Sequence, residues 1–186
     1  MSRIFCLETE WTQSIHDLKD KSTVHSLLEF IEGTLQIQYV FRQVATLEDF
    51  DYYIRHLQAA SYAPYDLVYL CFHGTSGAIA FAEKSEYQLS DFAKEHNGIF
   101  KDRTVFFDSC STLNLDKEDI QYFKKTTGAR MVIGYRKRVD FIKSFVFEFW
   151  LLTTIISHPD FGPKRLSSLA DREMPTHVAS LGFVCY

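Results

Sequence analysis

Three short, nearly uninterrupted apolar runs, Leu67–Phe72, Thr104–Phe107 and Met131–Gly134, constrain this chain more than anything else in it. A strand that is apolar on both sides has no face to offer water. It belongs inside a parallel sheet covered by helices on both faces. Segments of helical period separate and flank the runs. Thr23–Gly33 sets Val24, Leu27, Leu28 and Ile31 along one face, with Gly33 suited to end the helix. Thr46 is positioned to cap a helix over Leu47–Ala60, whose first turns hold Glu48, Asp49 and Asp51. Asp116–Thr127 reads as a helix stopped by Gly128, and Asp140–Ser157 as a long, strongly apolar one. Ser90–His96 and Ser167–Arg172 are shorter helical candidates.

Three further strands complete the α/β pattern. Arg3–Leu7 is apolar, Leu35–Phe41 alternates as a half-buried strand does, and Leu181–Tyr186 suits a closing strand. Ala78–Phe81 and Tyr87–Leu89, joined through Glu83–Glu86, read as a small hairpin. No repeat or Pro/Gly-rich linker interrupts the order, so residues 1–186 read as one domain.

Composition narrows the class. With 46% hydrophobic and 24% charged residues and a net charge of −4, the chain is neither a disordered tail nor a coat for nucleic acid. Aromatics make up 16% of it, enough for a dense core or an adhesive surface. Cys6, Cys71, Cys110 and Cys185 form no CxxC pair, which argues against zinc ribbons and thioredoxin-type redox motifs. The N-terminal residues show no secretory pattern. The most apolar run, Phe145–Ile156, contains Glu148 and falls short of the roughly 20 residues a membrane span needs. A cytoplasmic protein without membrane or nucleic-acid partners is the expectation.

In parallel α/β sheets, ligands bind beyond the carboxyl ends of the strands. Three such ends carry chemistry: His73-Gly74, Asp108 to Thr112, and Tyr135 to Asp140. His73 and Cys110 close successive strands and should emerge at one sheet edge. A thiol beside an imidazole can attack a carbonyl, and the imidazole can carry the proton to the leaving group. Gly74 allows a sharp turn, and an amide near it could join that of Cys110 in an oxyanion hole. Cys6, Cys71 and Cys185 sit in strand-like settings, as small buried residues do. The other histidines (16, 25, 56, 96, 158 and 177) are expected at the surface or at caps.

The two strand ends resemble a known group. Phe72-His73-Gly74, followed by Asp108-Ser109-Cys110-Ser111, is similar to the caspase-like (clan CD) cysteine peptidases: caspases, metacaspases, separases, gingipains and CHAT domains. The metacaspase Asp-Ser-Cys motif is the nearest local match. Gly128 to Tyr135, with Val139-Asp140 after it, resembles the corresponding stretch in CHAT and caspase-like domains. The likeness spans roughly Asp66 to Leu152. It implies a three-layer αβα sandwich around a six-stranded, mostly parallel sheet of order 2-1-3-4-5-6, its last strand antiparallel. It also implies Cys110 as nucleophile and His73 as general base and acid in peptide hydrolysis through an acyl-enzyme. Asp108 matches the metacaspase residue that lines a pocket for Arg or Lys, although capping of its own loop would suit it equally.

The chain departs from the pattern in Cys71-Phe72 before His73, in Ser111-Thr112-Leu113 after Cys110, and in the short span from Ser111 to Arg130. A minimal single-chain form without a cleavable linker follows. Metal ligands and cofactors are not implied, and calcium dependence stays open. Arg136-Lys137-Arg138 would border the groove, either as a solvated loop or with Arg136 and Arg138 meeting acidic or phosphate-bearing groups. Asp140 suits a helix cap beside that groove.

The leading reading is a small intracellular cysteine endopeptidase acting on a peptide or protein substrate, with a preference for Arg or Lys. The alternative is a catalytically inactive caspase-like module. Its aromatic helix, with Phe141, Phe145, Phe147, Phe149 and Trp150, is expected mainly in the core but could dock a partner or a second copy. A phosphate-binding domain is the weakest reading, because no GxGxxG or GxxxxGK stretch is present.

Overall fold

The apolar runs pair as parallel neighbours in a computed structural model that describes residues 3–12 and 22–186, the side chain of Phe141 excepted. In chain order the strands are β1 (Ile4–Thr9), β2 (Tyr39–Val44), β3 (Leu67–Cys71), β4 (His73–Thr75), β5 (Ala78–Ala80), β6 (Glu86–Gln88), β7 (Thr104–Asp108), β8 (Met131–Tyr135) and β9 (Phe183–Cys185). The helices are α1 (His25–Leu35), α2 (Leu47–Ile54), α3 (Leu89–Glu95), α4 (Lys117–Thr127), α5 (Phe141–Ser157), α6 (Pro163–Glu173) and α7 (Pro175–Leu181). The main sheet has six strands in the order β2-β1-β3-β7-β8-β9. All its pairings are parallel except β8 with β9. Counting only these strands, the order is 2-1-3-4-5-6 with an antiparallel edge, as expected.

Residue alternation explains why both sheet faces are dry. Phe5 and Leu7, Val68 and Leu70, Val105 and Phe107, and Val132 face one core, against Phe50 of α2, Phe92 of α3 and Phe123 of α4. Ile4 and Cys6, Leu67, Tyr69 and Cys71, Phe106, and Met131, Ile133 and Tyr135 face the other. There they meet Leu28 of α1, Phe147 and Leu151 of α5, Leu166 of α6 and Leu181 of α7. Many aromatics are buried: Phe50 makes edge contacts with Phe72, Phe81, Tyr87 and Phe92 at 5.5–6.3 Å. Among the described residues, no helix is long and apolar enough to cross a membrane.

Several boundaries differ from the sequence reading. Gly33 lies inside α1, and the left-handed residue that ends that helix is Gln36, at φ 53°. Leu35 therefore closes a helix, and the neighbouring strand starts only at Tyr39. The α2 helix stops at Ile54 and continues as a tighter turn over Arg55–Gln58. The sixth helix starts earlier than Ser167, because Pro163 occupies its first turn and needs no hydrogen-bond partner there. Pro175 starts α7 in the same way, where no element was expected. His73–Thr75 forms a third strand on the hairpin, pairing with β5.

Candidate active site

The turn after β7 holds Cys110 by clamps on both sides. Toward the hairpin, Gly77 N donates to Thr112 O at 3.1 Å, and Thr112 Oγ1 donates to Ala78 O at 3.0 Å. Toward β8, Ser111 N donates to Lys137 O at 2.9 Å and Leu113 N to Tyr135 O at 3.1 Å. Ser111, next to the cysteine, sits at φ 58°, a left-handed conformation rarely taken by residues other than glycine. Backbone strain of this kind is held only where the surroundings enforce it. Gly74 lies directly on the turn: a Cβ there would stand 2.5 Å from Cys110 O and would collide with Thr112 Oγ1. Glycine at this position permits a backbone-to-backbone approach.

Cys110 is half-buried, and Val139 N donates to its sulfur at 3.3 Å, so an amide just ahead of α5 faces the thiol. The sulfur borders a cleft of about 160 Å³ lined by Trp11, Thr23, Phe72, Asp108, Ser109, Val139 and Ser144. His73 is also half-buried, and its Nε2 lies 2.8 Å from Trp11 O. A carbonyl only accepts, so Nε2 carries the hydrogen and Nδ1 is left with a lone pair. The Trp11 indole meets the imidazole edge-on at 5.2 Å. Among the described residues, no hydrogen bond joins His73 directly to Cys110.

Asp108 occupies the inner wall of the cleft. Tyr69 Oη lies within hydrogen-bond reach of both Asp108 Oδ2, at 3.2 Å, and Glu148 Oε2, at 3.0 Å. Both carboxyls are buried. Burial, then the neighbouring Glu148, pushes the Asp108 carboxyl well above the ordinary range. Burial also raises Glu148, against the opposing effect of hydrogen bonds from Ser144, Asp108 and Tyr69. Like charges this close disfavour double ionisation, so the pair holds a proton to higher pH than an isolated carboxyl would. Read from sequence, Glu148 only interrupts an apolar helix, and nothing local assigns it to the site. Its partners are Tyr69, on another element, and Asp108.

The remaining candidates divide. Arg136 is tied into the fold, its Nη2 donating to Tyr186 Oη at 2.6 Å. Lys137 Nζ donates to Ala179 O at 2.7 Å, whereas the side chain of Arg138 is exposed. Asp140 caps α5, accepting from Lys143 N at 3.1 Å. One histidine departs from expectation: His96 is 2% exposed, packed on Phe92 with Nε2 3.1 Å from Asp51 Oδ1. His16 and residues 13–20 of the loop after Glu8 lie outside the described residues. Trp11, to which the sequence assigned no role, is the residue that orients His73. A larger groove of about 1110 Å³, between α2, the hairpin and α3, shares no residue with the Cys110 cleft. Among the described residues, no three His, Cys, Asp or Glu side chains gather to hold a metal ion.

Comparison with known proteins gives a family and a faint structural likeness. The model of DUF6642, a family of unknown function, matches residues 1–159. No curated protein matches the chain. Among solved structures, "structure of pro-sf-caspase-1" is similar at TM-score 0.45 and 14% identity, over 73% of this chain and 60% of that one. Caspase-1 from Spodoptera frugiperda is similar at TM-score 0.41 and 17% identity, over 73% of this chain and 57% of that one. The chain thus spans 60% or less of the length of either caspase chain.

Proposed function

The chain belongs to DUF6642, a family of unknown function, and for it we propose a cysteine-peptidase reaction run by Cys110 and His73. What carries the reading is the His73 imidazole, held through Nε2 by Trp11 O at 2.8 Å, while the adjoining Gly74 is seated on the Cys110 backbone. His73 Nδ1 takes the thiol proton as Cys110 Sγ attacks the scissile carbonyl carbon. The same proton passes to the amine as the C–N bond breaks, leaving a thioester. Water then attacks the thioester, His73 takes its proton, and the acid leaves with the thiol restored. The amides of Cys110 and Gly74 would face the developing oxyanion, and such donors contribute about 2.7–4 kcal/mol each.

Asp108 supports a preference for Arg or Lys before the cut bond. It lies on the wall of the cleft with Cys110, and a cation entering there would favour the ionised form of the Asp108–Glu148 pair and draw on its charge. Arg138 is free to meet acidic residues flanking the cut. We place the enzyme in the cytoplasm, without a cofactor. The test is digestion of a peptide library, reading the residue ahead of each new N-terminus. Arg or Lys there, with no cleavage by Cys110→Ala, is the predicted result. Cleavage without residue preference would remove the Asp108 pocket, and no cleavage by wild type would remove the peptidase.

One observation favours the non-catalytic reading. Ile142, Val146 and Phe149 of α5 are 72%, 51% and 38% exposed, and Phe30 of α1 joins Phe149 at 5.7 Å. An apolar stripe of this kind suits a partner or a second copy. A chain that cleaves nothing but sediments as a dimer, and as a monomer when Val146→Glu, would establish it.

A further inference from the structure

We propose that Glu8 is a positioning residue for His73, acting through Trp11. The inference rests on the Cys110–His73 reading and adds a residue to it. Glu8 belongs to β1, where its backbone is registered against Gln43 of β2 and Cys71 of β3, two residues before His73. Its side chain is fully buried, so its position is set by the sheet. Trp11 and Thr23 stand beyond the strand, on either side of residues 13–21.

One oxygen of Glu8 ties them together. Oε1 accepts from Trp11 Nε1 at 2.8 Å, Thr23 N at 2.7 Å, Thr23 Oγ1 at 2.7 Å and Val24 N at 3.3 Å. The residue whose indole Glu8 holds is the one whose carbonyl holds His73 Nε2. Fixing the indole fixes Trp11 between two contacts to the imidazole, one through the carbonyl and one edge-on through the ring. Glu8 thereby transmits the rigidity of the sheet to a loop carbonyl, and the carbonyl selects the Nε2–H tautomer. An apolar residue at position 8 would fill the space but leave four donors without an acceptor.

The consequence is read at His73 and Cys110 without a substrate. In wild type, imidazole nitrogen spectroscopy should show His73 as a single Nε2–H tautomer. Cys110 alkylation by iodoacetamide at neutral pH should run faster in wild type than in His73→Ala, because the imidazole takes up the thiol proton. Glu8→Gln and Trp11→Phe, the latter keeping ring and carbonyl but removing the indole N–H, should both mix the tautomers. Both should slow alkylation about tenfold, as loss of an orienting partner does elsewhere. Trp11→Phe removes one of the four hydrogen bonds, so it reads the effect even if Glu8→Gln fails to fold. A single Nε2–H tautomer and unslowed alkylation in Trp11→Phe would overturn the role of Glu8 while leaving the dyad standing. A wild type alkylated no faster than His73→Ala would overturn the dyad itself, and the inference with it.

Discussion

Gly74 shows at residue scale how close the two halves of the site stand. Alanine there would press its methyl group on Thr112 Oγ1 and to 2.5 Å from Cys110 O, and backbone cannot yield as a flexible side chain does. Gly74→Ala should lose about 1–3 kcal/mol of stability and displace the cysteine turn. A lowered melting temperature together with slower Cys110 alkylation is the expected pair of changes. Unchanged values for both would mean that the approach is looser than described. Gly74, His73 and Cys110 were legible in the sequence because each stands at the end of an apolar run, where a parallel sheet presents its chemistry. Trp11, Glu8 and Glu148 were not. Their roles come from hydrogen bonds between residues up to 79 positions apart, and no local pattern records such a bond.

At the scale of elements, the strands were legible where both faces are buried and less so elsewhere. Leu35–Phe41 alternates in hydrophobicity, yet its first residue completes α1, since a period of two over a few residues does not exclude a last helical turn. The α7 helix was invisible because seven residues carry too little periodicity, and only Pro175 marks its start. Caps were more readable. Thr46 accepts from Asp49 N at 3.1 Å, as its place before the acidic turn of α2 suggested. Thr46→Ala should therefore cost about 1 kcal/mol, measured by chemical denaturation. Because no residue of α2 lines the Cys110 cleft, alkylation of the cysteine should not change. A stability loss under a few tenths of a kcal/mol would show that the cap bond contributes nothing net.

For the whole molecule, the carboxyl pair beneath the cleft couples stability to pH. The folded chain raises the Asp108 carboxyl, through burial first and Glu148 second, so it binds a proton that the unfolded chain releases near pH 4. The contribution of that proton is fully present below about pH 4 and is lost as pH rises through the higher folded value. Asp108→Asn has no such proton to lose. Its stability relative to wild type should therefore improve as pH rises above about 4, by up to about 1.4 kcal/mol per pH unit. Parallel denaturation midpoints across that range would contradict a shared proton. The α/β class followed from apolar runs alternating with helices, and the strand order from the family resemblance, whereas a buried acid pair is a property of the assembled sheet and α5.

The central claim is that Cys110 and His73 act as one chemical unit. Its most direct measurement is the rate at which a peptide acyloxymethyl ketone ending in Arg alkylates the protein, with the modified residue located by mass spectrometry. An adduct on Cys110, no adduct in Cys110→Ala, and labelling of His73→Ala slowed by about a hundredfold or more are the expected results. Equal labelling of wild type and His73→Ala, or an adduct on Cys185 in place of Cys110, would contradict it.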